Sequence, residues 1–99
     1  MFTIRFAEGV AQDLKKIPVF YRNHILDAIQ TQLVNTPDLQ IRNGKVLVKL
    51  VPPWEGIEPV CELRVGEYRV FYDVSRDDET VYVRAVRRKP SGTKTEDIL

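Results

Sequence analysis

Two arginines flank the turn of a predicted β-hairpin at residues 62–74, ELRVGEYRVFYDV. Two runs of strand-forming residues meet at Gly66 and Glu67, and a two-residue turn at that point would place Arg64 opposite Arg69. Like charges directly opposite each other on paired strands repel unless an anion lies between them. Because a strand fixes the direction of its side chains, we expect these arginines to be suited to binding phosphate. The alternative is that both are surface residues, solvated or ion-paired.

A second group of cations follows in the last predicted strand. If the C-terminal strands form an antiparallel meander, this group can lie near the hairpin arginines. The formal net charge is only +1, so bulk electrostatics would not bring the chain onto nucleic acid, and any phosphate binding must be local. A charge run of this kind is also typical of a solvated strand edge. The cations are Arg84, Arg87, Arg88 and Lys89.

The other residue types that could do chemistry are interpreted as structural. A single cysteine, Cys61, excludes an internal disulfide, and its predicted position on the strand face of Leu63 indicates a buried thiol. His24 is the only histidine in the sequence, so no second histidine can pair with it on a metal. We predict no metal and no cofactor. Trp54 can stack on a base or cover the edge of a core, and we favour the second role.

Length and composition predict one domain over residues 1–99. A hydrophobic fraction of 43% with 29% charged residues is ordinary for a globular chain. No apolar run approaches the roughly 20 residues that a membrane span requires, and the N-terminal residues do not form a signal-peptide pattern. We therefore expect a soluble, cytoplasmic protein without membrane association.

Hydrophobic periodicity predicts the first elements. Residues 2–6 alternate as a half-buried strand. A helical period follows over residues 8–17 and is stopped by Pro18. A second helical period covers residues 19–35 and is stopped by Pro37. Each helix has one apolar stripe, which predicts an antiparallel helical hairpin packed on one face of a sheet.

The rest of the chain predicts the remaining strands. Residues 60–65, 68–75 and 80–88 form an antiparallel meander, whereas residues 45–51 are a strand or an extended connector. Residues 95–99 are too short for more than a marginal helical turn. The predicted fold is α+β, with an antiparallel sheet, both helices on one face and the other face open for a partner. The expected shared core contains Ile25, Ile29, Leu33, Val70 and Tyr72.

This order of elements, with ELRVGEYRVFYDV as the central hairpin and VYVRAVRRK as the last strand, resembles the RelE/ParE superfamily of bacterial toxins from type II toxin–antitoxin modules. The most specific similarity is Leu63-Arg64, a turn, and Tyr68-Arg69 followed by VFYDV. AQDLKKI in the first helix supports it, and the resemblance covers nearly the whole chain. It implies a RelE-like fold, a cognate antitoxin and, for RelE-like members, cleavage of messenger RNA in the ribosomal A site.

The resemblance also implies roles for individual residues. In the RelE-like mechanism the ribose 2′-hydroxyl attacks the adjacent phosphate, so the protein must stabilise negative charge and manage two proton transfers. Arg69 matches the catalytic arginine of the family, and we expect its guanidinium to be exposed. Lys89 lies near the basic residue that ends the last strand, and Arg64 matches a neighbouring basic position. The candidate RNA-binding residues are Arg64, Arg84, Arg87 and Arg88.

Three positions depart from the founding RelE pattern. Val60 and Glu62 stand where that pattern has lysines, and Thr95 stands where it has a tyrosine. Glu62 can act as the base, since some members of the superfamily use a glutamate, or it can be an exposed, paired surface residue. The basic cluster favours a nuclease, whereas the missing acid–base residues favour a ParE-like inhibitor of DNA gyrase or a homologue that has lost activity.

Overall fold

The computed structural model describes residues 1–35, 44–47 and 50–99. Within these ranges the sheet has five strands in the order β1-β5-β4-β3-β2, where β1 is Thr3–Phe6, β2 is Gly44–Leu47, β3 is Val60–Val65, β4 is Tyr68–Ser75 and β5 is Thr80–Arg88. The helices are α1 (Val10–Lys15) and α2 (Val19–Gln32), and a 3₁₀ turn at Thr95–Ile98, here called the C-terminal turn, follows the sheet. The predicted α+β fold is confirmed.

The central hairpin has the predicted register. β3 and β4 are antiparallel, with Val65 opposite Tyr68 and Arg64 opposite Arg69. Gly66 opens the turn with a φ of +59°, a backbone conformation that glycine adopts readily and that two-residue hairpin turns require. The predicted bounds of β3, β4 and β5 all agree with the structure.

The N-terminal strand corrects the prediction of an antiparallel sheet. β1 pairs with β5 in parallel, with Thr3 beside Thr80 and Phe6 beside Val83, so the sheet is mixed. Apolar alternation predicts which face a strand presents but carries no information about the direction of its partner. Phe2 is buried as expected, whereas Phe6 is 46% exposed because it lies at the open end of this edge strand.

Both helices pack on one face of the sheet. α1 lies close to the prediction, whereas α2 ends at Gln32, three residues before the predicted end, and Pro37, its predicted stop, lies outside the described residues. Residues 36–43 as a whole lie outside them. No described helix is long and apolar enough to cross a membrane. The shared core is confirmed, with nearly complete burial of Ile25, Ile29, Leu33, Val70 and Tyr72.

The sheet face opposite the helices is partly covered by the chain itself. This corrects the expectation that this face is open for a partner. Val60, Phe71 and Ala85 are buried on that face. Trp54 packs against Phe71 with the ring centroids 5.9 Å apart, which confirms its predicted role as a cover for a core. The cover is needed because the face that carries Arg69 also carries the large apolar ring of Phe71. Further apolar residues that pack on this second core are Leu47, Leu50, Ile98 and Leu99.

Candidate active site

Glu62 and Arg69 form an ion pair on the sheet face opposite the helices. They lie on the neighbouring strands β3 and β4, and because Glu62 stands opposite Phe71, Glu62 and Arg69 are diagonal neighbours. Glu62 Oε1 lies 3.8 Å from Arg69 Nε, and the side chains are only 7% and 13% exposed, respectively. The expectation of an exposed Arg69 guanidinium is therefore wrong, and Glu62 is paired but is not the exposed surface residue of the second alternative.

The turn of the hairpin holds Arg69 in place. Its Nη1 donates hydrogen bonds of 2.9 Å to the carbonyl oxygens of Gly66 and Tyr68. Glu62 supplies a negative charge beside Arg69, one of the two arginines that face each other across the strands. A guanidinium fixed in this way is directed before any ligand arrives, which is favourable for stabilising charge on a phosphate.

Lys89 joins this pair through Thr95. Lys89 follows the end of β5, and its backbone N–H donates to the carbonyl of Glu67 at 2.6 Å. Its Nζ donates to Thr95 Oγ1 at 3.4 Å, and Thr95 Oγ1 in turn donates to Glu62 Oε1 at 3.5 Å. The structure thus brings together the three predicted catalytic residues, Glu62, Arg69 and Lys89, and adds Thr95.

These side chains have complementary chemistry. A carboxylate can accept a proton, an ammonium can donate one, and a guanidinium can stabilise developing negative charge on phosphate oxygens. Thr95 was not predicted as a site residue, because threonine has no acid–base chemistry near neutral pH. Its position at the family's tyrosine was the signal that could have identified it.

Arg84 is paired with a buried carboxylate. Its Nε and Nη2 donate to the two carboxylate oxygens of Asp73 at 2.7 and 3.0 Å, and Asp73 is almost completely buried. A Cβ on Gly56 would overlap Asp73 Oδ2, so the loop backbone packs directly on this pair. The pairing gives Arg84 a structural role, and the RNA-binding role of Arg84 stays a prediction.

Two further predicted RNA-binding arginines also have partners. Arg87 pairs with Asp13 of α1, and the same carboxylate accepts the backbone N–H of Val86 at 3.0 Å, which ties α1 to the end of β5. Arg88 makes an exposed pair with Glu67 at 3.1 Å. The sequence did not reveal these partners, and the RNA-binding roles of Arg87 and Arg88 stay predictions.

Arg64 differs from the other candidate RNA-binding residues. It is exposed on β3, and within residues 1–35, 44–47 and 50–99 no ion-pair partner lies beside it. Arg64 therefore differs from Arg84, Arg87 and Arg88, each of which pairs with a described carboxylate. The RNA-binding role of Arg64 also stays a prediction.

An apolar surface lies on the other side of the hairpin, at the start of α2. Phe20 is 75% exposed, and Val19 and Tyr21 are also exposed. Phe20 and Tyr21 border a groove of about 530 Å³ that reaches Val65 and Tyr68. This groove, here called the α2 groove, was not predicted, because the four-residue period of the helix identifies only its buried stripe.

The described residues contain no group of three or more His, Cys, Asp or Glu side chains that could hold a metal ion. His24 is exposed on α2, away from the Glu62–Arg69 pair. Cys61 is buried on the helix side of β3, which confirms its predicted placement.

Comparison with known families shows to which family the chain belongs. The family model described as the ParE toxin of the type II toxin–antitoxin system, parDE, matches residues 4–89. The chain belongs to this family of toxins. A search of curated proteins gave no match.

Solved structures of RelE proteins share the fold of this ParE-family toxin. The RelBE2 toxin–antitoxin complex from Mycobacterium tuberculosis is 24% identical with a TM-score of 0.67, covering 89% of this chain and 98% of the other. The RelE–RelB complex from Pyrococcus horikoshii is 20% identical with a TM-score of 0.62, covering 94% and 98%. The isolated Escherichia coli RelE toxin is 17% identical with a TM-score of 0.66, covering 93% and 88%.

Proposed function

We propose that this toxin is a ribosome-dependent endoribonuclease that cleaves messenger RNA and so inhibits translation. The observation that carries the proposal is the arrangement around Glu62. Its carboxylate lies 3.8 Å from the Arg69 guanidinium and is linked through Thr95 to the Lys89 ammonium. One candidate base and two cations on a single rigid sheet face match the needs of phosphodiester cleavage.

In this mechanism the RNA provides the nucleophile. Glu62 accepts the proton of the ribose 2′-hydroxyl, and the 2′-oxygen attacks the adjacent phosphorus. The bond from phosphorus to the 5′-oxygen breaks, and Lys89 protonates that leaving oxygen. Arg69 stabilises the additional negative charge on the phosphate oxygens. The products are a 2′,3′-cyclic phosphate and a free 5′-hydroxyl.

The charge distribution supports a need for the ribosome. The formal net charge is only +1, and Arg84, Arg87 and Arg88 are each paired with a carboxylate of the same chain. Because affinity for free RNA comes largely from cations that neutralise phosphates, these pairs leave three of the four predicted RNA-binding arginines less able to hold free RNA. Messenger RNA presented on the ribosome does not have to be held by these arginines.

The test is cleavage of messenger RNA on programmed ribosomes by the purified full chain. Arg69→Ala should lower the cleavage rate by about 10²- to 10³-fold, the scale for losing one preorganised donor. Glu62→Gln keeps the size of the side chain and should also lower the rate strongly. Lys15→Ala, which removes an exposed cation of α1 on the other side of the sheet, is the matched control and should cleave at close to the wild-type rate.

A second candidate function is inhibition of DNA gyrase. The match of the ParE toxin model to residues 4–89 favours it. Expression without antitoxin, with translation and DNA replication measured separately, distinguishes the two functions. If wild type blocks replication and spares translation, and Arg69→Ala stays folded and fully toxic, the nuclease proposal fails and gyrase inhibition replaces it.

We also propose that a cognate antitoxin binds this chain. Complexes of RelE with RelB antitoxins among the structural neighbours support a partner of this kind. The expected antitoxin surface, the sheet face opposite the helices, is partly filled by the chain's own second core. The α2 groove, with Phe20 exposed beside it, is suited to the apolar side of an amphipathic segment.

Co-purification with the product of the adjacent gene tests the antitoxin surface. Phe20→Ser should weaken the complex without changing the melting temperature of the free toxin, because the ring is exposed. Val51→Ser is the matched control, since Val51 is also highly exposed but lies outside the α2 groove. Equal retention of the antitoxin by both variants would show that the antitoxin binds elsewhere.

A further inference from the structure

The Thr95 hydroxyl lies between two ionisable groups of the candidate site. It is 3.4 Å from Lys89 Nζ and 3.5 Å from Glu62 Oε1. An ammonium can only donate hydrogen bonds and an ionised carboxylate can only accept them, whereas one hydroxyl can do both. The direction of the chain is therefore fixed: Lys89 donates to Thr95, and Thr95 donates to Glu62.

The backbone that carries Thr95 is held from two sides. Next to it, the Lys94 N–H donates to Asp97 Oδ2 at 3.3 Å, and the Asp97 N–H donates back to the Lys94 carbonyl at 3.0 Å. Further along, Ile98 and Leu99 pack against the second core. A short turn that is marginal in isolation thus becomes a fixed support for one hydroxyl group.

We propose that Thr95 is a positioning residue of the nuclease site. Its hydroxyl keeps the Lys89 ammonium and the Glu62 carboxylate oriented toward the same phosphodiester. The inference rests on the proposed endoribonuclease function and assigns to the C-terminal turn a part in it. Thr95 exchanges no proton with the RNA. It orients the base and the acid, in the way that outer hydrogen-bond partners orient groups that do chemistry.

Two substitutions separate the hydroxyl from the packing of the side chain. Thr95→Val keeps the shape and removes the hydroxyl, whereas Thr95→Ser keeps the hydroxyl and removes a methyl group. On programmed ribosomes, Thr95→Val should lower kcat by about 10- to 100-fold, the range for losing an orienting hydrogen bond. KM should change little, because the hydroxyl does not bind the RNA. Thr95→Ser should restore kcat to near the wild-type value.

The outcomes distinguish this inference from the function on which it rests. Wild type, Arg69→Ala and Glu62→Gln, measured in the same series, report on the nuclease function, and an inactive wild type overturns both proposals. If those three behave as expected but Thr95→Val retains the wild-type kcat, only the positioning role is overturned. Equal losses in Thr95→Val and Thr95→Ser, or a raised KM with unchanged kcat, would assign the residue to packing or to binding and also overturn it.

Discussion

Replacing Arg69 with alanine should destabilise the protein as well as inactivate it. Unit charges separated by the 3.8 Å of the Glu62–Arg69 pair attract by about 4 kcal/mol at an effective dielectric constant of about 20. The cost of removing both groups from water offsets part of this attraction, which leaves a coupling free energy of about 2 kcal/mol. Arg69→Ala also removes two hydrogen bonds to turn carbonyls, so the total loss should be about 3 kcal/mol.

A double-mutant cycle in urea measures the coupling directly. Glu62→Gln alone should lower the free energy of unfolding by about 1 to 2 kcal/mol, because Arg69 keeps its hydrogen bonds to the turn carbonyl oxygens. The double variant should be about 2 kcal/mol more stable than the sum of the two single losses predicts. In thermal melting, each kcal/mol corresponds to about 4 to 8 °C for a domain of this size, so the Arg69→Ala shift will be easy to resolve.

Arg88→Ala is the control for the cycle. The Arg88–Glu67 pair has side-chain exposures of 59% and 62%, and exposed pairs of this kind contribute less than about 1 kcal/mol. If the losses in the free energy of unfolding of Glu62→Gln and Arg69→Ala are additive, Glu62 and Arg69 do not form a shielded pair in solution. The same conclusion follows if Arg69→Ala is as stable as Arg88→Ala.

Two further predictions concern the cover of the second sheet face. Gly56→Ala should destabilise the protein by about 1 to 3 kcal/mol through overpacking against Asp73. Gly9→Ala should be nearly neutral, because nothing lies within 4 Å of the added Cβ. Urea unfolding of both variants gives the comparison. Trp54→Ala should cost about 2 kcal/mol because it uncovers the second core, while Phe20→Ala should leave the melting temperature unchanged because Phe20 is exposed.

The central hairpin could be predicted from the sequence because its determinants are local. Alternating strand formers and a two-residue turn at Gly66 fix the register, so the positions of Arg64 and Arg69 across the ladder followed directly. The stripe of α2 that faces the core could be predicted for the same reason. In each case the information lies within a few neighbouring residues.

Contacts between distant segments could not be predicted in this way. Asp13 and Arg87 are 74 residues apart in the sequence, and neither residue type reveals its partner. Glu62 is buried and accepts a hydrogen bond from Thr95 of the C-terminal turn, 33 residues away in the sequence. Alternation assigned Glu62 to the charged face, but it carries no information about what covers that face.

The contacts within the candidate site could not be predicted from the sequence. The resemblance to RelE singled out Glu62, Arg69 and Lys89, whose catalytic roles stay predictions, whereas the ion pair of Glu62 and the link through Thr95 required the structure. Arg84 and Arg87 of the basic strand β5 pair with carboxylates of the same chain, so both have a structural role.

The parallel pairing of β1 with β5 has a consequence for the synthesis of the toxin. The first strand to leave the ribosome has no partner until the last strand has been made, and such long-range pairing is slow to form. Lys89 and Thr95 both follow that last strand, so the sheet is completed just before the candidate site. A chain that terminates early lacks both, and translation of a damaged message therefore yields an incomplete sheet without a functional site.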